Sequence, residues 1–333
     1  PLEGSRYYYN SLENVDKIRD DIVNTLDGDT IKVGWAKESL IPTEPVPLAG
    51  YGARKGANFE GVDDTIFVKA VVFDNEITKA AYVSMDLLIV PPNLDHQKIL
   101  DKLSFEVDNL YLTASHTHSS IGGYLEGLAG KIFGGEYSED ILEFITNKTI
   151  LALEEAYYKR EKSRIGYGRI YASNFVTNRL VGDSIGTYDP FIRLIKINTE
   201  SGKNAAIFSY AAHATCYGHK QRDLSGDYPG RLTSMLEMTR EIDFAVYGAG
   251  AVGSMSPRTK SVEGEMRVKE ISYGLFEKIY EGFRIMGAKY ETKLISKKID
   301  IELREESFRV SKNIIVRPWI FKLLVGESPK YLS

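Results

Sequence analysis

Seven short runs between residues 65 and 250 are rich in β-branched and aromatic residues, and several are apolar almost throughout. They are TIFVKAVVFD (65–74), KAAYVSMDLLIV (79–90), NLYLTAS (109–115), RIGYGRIYA (164–172), FIRLIKINT (191–199), AAIFSYAAHA (205–214) and DFAVYGAG (243–250). A strand with one wet face alternates apolar and polar side chains. A strand that does not alternate is covered on both faces. Helical periods interleave with these runs. Val15, Ile18, Ile22 and Leu26 recur at helical spacing in residues 13–26, and residues 137–160, 228–242 and 264–286 carry longer patterns. Ser138 is placed to cap the second helix, with Glu139 and Asp140 suited to its positive end. Pro229 stands early in the third, where a helix tolerates it. The expectation is an α/β fold: a mixed β-sheet flanked by helices, with an active site at the strand ends. Residues 289–306 alternate more and read as a half-exposed hairpin or edge.

Bulk properties narrow the function classes. The chain has 333 residues and a net charge of −4, with its basic residues scattered, so no nucleic-acid footprint is expected. A single cysteine, Cys216, excludes an internal disulfide and a cysteine-based zinc cluster. It lies in an apolar stretch, as an inert buried thiol would. No run is long and apolar enough to span a bilayer. The chain opens PLEGSRYY without a methionine, which leaves room for a removed leader.

Four of the strand runs end in chemistry. KAAYVSM runs into Asp86, NLYLTAS into His116 and His118, AAIFSYAA into His213, and DFAVY into a glycine-rich turn carrying Ser256. Ligands of α/β sheets gather at carboxyl ends of strands. If the chain stays extended past residue 115, two histidines two apart point to the same side. His213, from another strand, then completes a set of imidazoles suited to zinc with an open coordination position. The competing reading is turn histidines satisfied by backbone. Asp86 and Asp227 are candidates to orient the histidines or, equally, to cap turns. His96 reads as structural and His219 as a loop residue. GAGAVG (248–253) matches a dinucleotide fingerprint, but Pro257 follows too soon for the helix that fingerprint must open. The alternative is a close backbone approach to a reacting centre that exposes Ser256 as a nucleophile.

These segments resemble the catalytic domain of the neutral/alkaline non-lysosomal ceramidases. The matching blocks run in order: PVPLAGYGARKG, the strand pair ending in Asp86, LTASHTHSSIGGY, NRLVGDSIGTYDP, FSYAAHATCYG with LSGDYPG, and GAVGSMSPR. The resemblance implies a zinc-dependent hydrolase that cleaves the N-acyl bond of ceramide or a similar lipid amide. By that resemblance His116 and His213 are zinc ligands, His118 and Arg179 hold and polarise the substrate amide, and Ser256 is the nucleophile. The family's glutamate and tyrosine ligands have no counterpart before Ser333, so they are expected from a C-terminal partner segment. Ser254 replaces the family's usual aspartate, and Arg258 stands where asparagine is common. Residues 1–30 are accordingly read as an N-terminal helical extension, and 31–333 as a ceramidase-like catalytic domain incomplete at its C-terminus. An extracytoplasmic location and contact with a membrane surface also follow from the resemblance. The alternatives are hydrolysis of another N-acyl amine, a non-catalytic lipid-binding homologue, or half of a split enzyme.

Overall fold

The computed structural model describes residues 6–23 and 26–299, with short strands beyond at 301–302, 308–311, 314–316 and 331–332. Helix α1 (Arg6–Val23) leads. Then come β1 (Lys32–Ser39), β2 (Gly61–Val62), β3 (Phe67–Asp74), β4 (Lys79–Met85), α2 (His96–Lys102), β5 (Asn109–Ala114), α3 (Gly127–Gly134) and α4 (Glu139–Tyr158). The second half holds β6 (Glu161–Tyr171), β7 (Val176–Asn178), β8 (Phe191–Thr199), β9 (Asn204–Tyr210), β10 (Asp223–Leu224), α5 (Asp227–Glu237), β11 (Phe244–Ala249), β12 (Met255–Pro257), α6 (Glu265–Ile285) and β13 (Lys289–Tyr290).

One nine-stranded mixed sheet runs in the order β11-β9-β8-β6-β1-β3-β4-β5, with β13 beside β6. β1 and β6 pair only through Lys32–Lys162 and Val33–Glu161. About that narrow hinge the sheet folds back, and its two halves pack face to face. Alternation along each strand divides the side chains accordingly. Val68, Ala70 and Val72 of β3 join a core with Ile145, Ala152 and Leu153 of α4. Phe208 and Tyr210 of β9 join a second core with Leu232 of α5 and Leu275 of α6. Between the halves lie Val33 and Val71 from one side and Ile197, Ile207, Phe244 and Val246 from the other. The near-continuous apolar runs are thus explained. Each half-sheet has helices on one face and the opposite half-sheet on the other, at about 1.5–3 kcal/mol for each fully buried aliphatic side chain.

Polar groups also tie the halves together. Lys69 Nζ on β3 is buried and donates to Glu237 Oε1 of α5 (2.9 Å) and to Ala245 O of β11 (2.8 Å). Lys37 donates to the other Glu237 oxygen at 2.6 Å. Ser84 Oγ of β4 donates to Tyr247 O of β11 at 2.5 Å. Parallel pairing of β4 with β5 and of β9 with β11 sets the strand direction within each half.

Three local expectations are corrected. Ser138 occupies the N-cap of α4 with extended backbone, yet its side chain makes no capping bond. The third helix stops at Glu237, short of residue 242. Of residues 289–306, only Lys289–Tyr290 pairs with β6, and 291–299 form no strand; residues 300 and 303–306 lie outside the described residues. β1 was not legible because Gly34, Lys37 and Glu38 interrupt its apolar pattern. Gly34 is required there, since a Cβ would stand 2.1 Å from Ala156 O of α4.

Removing one partner from a buried ion pair strands the other charge. Glu237→Ala is therefore expected to lower unfolding free energy in urea by about 3–5 kcal/mol, and a loss below about 1 kcal/mol would contradict this role.

Candidate active site

The carboxyl ends of β4, β5, β9 and β11 meet at the seam between the half-sheets. Each contributes a loop. β5 leads into His116 and His118, and β9 into His213. Ring nitrogens of the three lie within 4.8 Å of one another. The ring centroids are 5.1 Å apart for His116–His118, 4.4 Å for His116–His213 and 5.0 Å for His118–His213. His118 Nε2 and His213 Nε2 are 3.0 Å apart.

Convergence does not arise from a continued strand. β5 ends at Ala114, and His116 adopts a left-handed backbone (φ 62°). A non-glycine residue held there costs on the order of 1–3 kcal/mol, which the surrounding contacts must offset. Those contacts are on the loop after β4: His116 N donates to Leu87 O (3.1 Å) and Nδ1 to Leu88 O (2.6 Å). His213 Nδ1 donates to Val252 O at 3.0 Å. A carbonyl only accepts, so both rings carry their proton on Nδ1 and turn an Nε2 lone pair into the cluster. His118 Nδ1 is buried without a hydrogen-bond partner. Two imidazole nitrogens at 3.0 Å are compatible only through a shared proton or a shared cation.

Electrostatics keep the cluster neutral. Burial, then the other two histidines, pushes His118 down to about 3. Burial pushes His213 down to about 4 against the help of Val252 O, and it lowers His116 as well. Neutral rings with anchored Nδ1–H groups are what a divalent metal needs from imidazole ligands. Among the described residues this is the group of histidines, cysteines and carboxylates able to hold an ion.

Ser256 sits on a separate two-stranded ribbon, β7 with β12, where it faces Thr177, and Arg179 directly follows β7. Arg179 N donates to Ser254 O (2.9 Å), and its Nε and Nη2 donate to Gly253 O (3.0 and 2.8 Å). Val252 and Gly253 thus hold His213 and Arg179 on adjacent carbonyls. The positive guanidinium is close enough to depress His116 and His213. The Ser256 hydroxyl has no hydrogen-bonded base among the described residues.

The model of the neutral/alkaline non-lysosomal ceramidase N-terminal region matches residues 42–270, which span every element of this site. The chain belongs to that family. Neutral ceramidase A of Dictyostelium discoideum is 24% identical over 280 residues, covering 75% of this chain and 38% of the relative. Neutral ceramidase of Drosophila pseudoobscura pseudoobscura is 25% identical over 236 residues, covering 62% of this chain and 32% of the relative. The chain therefore spans about a third of the length of these relatives. Two solved structures share the fold. A ceramidase complexed with C2 gives a TM-score of 0.68 at 21% identity, covering 76% of this chain and 43% of that one. Neutral ceramidase from Pseudomonas aeruginosa gives 0.67 at 22%, covering 77% and 45%.

Within this ceramidase-family site, the carboxylates act at one remove. Asp227 and Asp86 make no hydrogen bond to a histidine ring. Asp227, buried with φ 54°, accepts from Cys216 N (2.9 Å), Tyr217 N (3.0 Å) and Tyr228 N (2.7 Å), so it fixes the turn after His213. Asp86 accepts from Phe67 N (2.9 Å) and starts the loop that ends at Leu88. Burial raises both carboxyls. Cys216 is a buried free thiol pushed well above its usual value by burial, as expected of an inert one. GAGAVG opens no α-helix; a short turn, Val252–Ser254, follows instead.

Sequence reading missed Arg54 and Tyr51. The Arg54 guanidinium is buried, has no carboxylate partner among the described residues, and collects carbonyls from three loops. They are Ala49 O (2.9 Å), His118 O (2.5 Å), and His219 O and Gln221 O (3.3 and 3.0 Å). Burial lowers it to about 10. Tyr51 places its ring 5.0 Å from that of His118 and donates to Tyr217 O at 2.7 Å. Gly50 (φ 115°) lets this loop touch His118, whose Cα would stand 2.6 Å from an added Cβ. The only signal was the GYGAR turn itself.

A histidine with a depressed folded pKa contributes its full stability above its unfolded value near 6.5 and loses it as pH falls towards 4 and 3. Asp64, raised to about 7 by burial, acts with the opposite sign, so the comparison is between variants. In chelator-treated protein, the drop in urea stability from pH 7.5 to pH 5 is expected to be smaller for His213→Asn than for wild type. Equal drops would contradict the pKa assignment. Arg54→Lys cannot span the same carbonyls and is expected to lower the unfolding free energy in urea by about 1–3 kcal/mol, since buried acceptors lose their donors; an unchanged stability would contradict this role.

Proposed function

We propose that this chain carries the core of a zinc-dependent amide hydrolase that cleaves the N-acyl bond of ceramide or a similar lipid amide. The observation that supports this most is the neutral three-imidazole cluster, with two rings fixed by backbone carbonyls so that Nε2 faces inward. In this reading His116 and His213 hold the metal, and a C-terminal partner segment supplies the remaining ligands. When bound, zinc supplies Lewis-acid polarisation of an acyl oxygen.

The chain's own residues supply the rest. His118, neutral across the physiological range, positions and polarises the amide beside the cluster. The Arg179 guanidinium, held on Gly253 O, stabilises negative charge developing on the acyl oxygen. Ser256 is the nucleophile towards the acyl carbon: its proton passes to the amine that leaves, and water then cleaves the resulting ester, releasing the fatty acid and restoring the hydroxyl.

Zinc content after dialysis and release of long-chain base from ceramide test this together. Wild type together with the C-terminal segment is expected to retain zinc and turn over, and His116→Ala to lose both. Arg179→Ala is expected to keep zinc while losing about 10²–10³ in rate, the cost of one oxyanion donor, and Ser256→Ala at least as much. Undiminished hydrolysis in Ser256→Ala, or a zinc-loaded wild type inert towards every lipid amide, would overturn the assignment.

A further inference from the structure

One serine ties the two histidine loops together. Ser225, buried just after β10, donates its amide to Ser119 O (2.7 Å), and its carbonyl accepts from Thr117 Oγ1 (2.7 Å). Its main chain thus grips the residues on either side of His118. Its hydroxyl accepts from Asp227 N (3.0 Å), and Asp227 holds the Cys216 and Tyr217 amides of the turn after His213.

The orientation of Ser225 is set from a third place, the turn between β2 and β3. Strand pairing brings that turn in. Val62 of β2 lies opposite Leu224 of β10, and Asp63 N and Asp64 N both donate to Leu224 O (2.9 and 3.4 Å). Asp64 Oδ2 then accepts from Ser225 Oγ (2.7 Å), and its Oδ1 accepts from Gly226 N (2.7 Å). The serine hydroxyl therefore donates to Asp64 while accepting from Asp227, so its one proton is committed. Asp63 adds a second tie to the His213 side, accepting from Tyr217 OH at 2.8 Å.

Asp64 is held there at a cost. Burial, with Asp86 and Asp63 adding, raises its carboxyl to about 7 against the two hydrogen bonds. It has no ion-pair partner among the described residues. Gly230 of α5 leaves it room, since an added Cβ would stand 3.2 Å from Asp64 Oδ1. A desolvated carboxylate without a cation is a poor stabiliser, and such groups concentrate at functional sites.

We infer that Asp64 is a positioning residue: by fixing Ser225 it holds the His118 loop and the His213 loop at the spacing that brings their rings together. The inference deepens the proposed metal site and rests on that reading for its use, but its test needs neither turnover nor zinc.

The rings report their own spacing. His118 Nε2 and His213 Nε2 lie 3.0 Å apart, and His213 turns a lone pair inward, so without a metal His118 donates an Nε2 proton. In the chelator-treated full chain with isotope-labelled histidine, that proton is expected as a downfield ring N–H resonance in slow exchange with water. Asp64→Ala is expected to abolish it or speed its exchange at least about tenfold, and Asp64→Asn, which keeps one acceptor oxygen, to speed it less. Leu153→Ala, a truncation in the core under α4, lowers stability elsewhere and is expected to leave the resonance as in wild type. Thermal melts check that each variant is folded, and Asp64→Asn decides if Asp64→Ala does not fold. An unchanged resonance in both Asp64 variants would overturn the inference. So would its absence from wild type, or an equal loss in Leu153→Ala. Cu2+, which imidazoles bind more tightly than zinc, separates this from the metal reading. Loss of the resonance in Asp64→Ala, with no imidazole nitrogen in the wild-type Cu2+ paramagnetic resonance spectrum, would leave Asp64 standing and remove the metal site. Imidazole nitrogens in that spectrum, with the resonance unchanged in the Asp64 variants, would do the reverse.

Discussion

Everything at this site depends on the sheet folding back on itself. β5 and β11 are the two ends of the strand order, yet Ser84 of β4 hydrogen-bonds Tyr247 of β11, and Lys69 of β3 reaches Glu237 and Ala245 across the same interface. A flat sheet would leave His116 and His118 on one edge and His213 near the other. Face-to-face packing of Val71, Ile197, Ile207, Phe244 and Val246 brings them within reach of a single ion. Burial of apolar surface between the half-sheets thus does more than stabilise. It builds a site whose ligands are far apart in sequence and in strand order.

The second constraint is that the main chain, not carboxylates, orients the imidazoles. Leu88 O and Val252 O fix two tautomers, and Gly253 O fixes Arg179 on the adjacent peptide. Carbonyls carry no charge that titrates, so the arrangement stays constant while the acidic groups around it stand one layer further out. Asp227 and Arg54 serve that outer layer by pinning the loops that carry His213 and His118. The positive φ of His116 shows that this pinning is strong enough to hold a backbone conformation the residue would otherwise avoid.

Much of this was legible in the chain. Unbroken apolar runs indicated strands covered twice, and their polar ends marked the four loops that meet at the site. The ordered family blocks pointed to the three histidines. What the sequence concealed were features with no period. β1 hides behind Gly34 and Lys37, and short α3 behind its glycines. The turn at His116 replaces an expected pleat because its partners, Leu87 and Leu88, lie nearly thirty residues upstream. Arg54 was invisible for the same reason: a buried cation satisfied by carbonyls needs no acidic residue at a readable spacing. Ser256 lies on a ribbon apart from the strands that carry the histidines, and Arg179 follows the other strand of that ribbon.

The most direct measurement is X-ray absorption at the zinc edge of the zinc-loaded chain. The account predicts nitrogen scatterers at about 2.0–2.1 Å with the outer-shell pattern of at least two imidazoles, one from each half-sheet. Removing either His116 or His213 should then cost one of them. An all-oxygen shell, or an imidazole signal unchanged in both variants, would contradict a metal centre built at the seam.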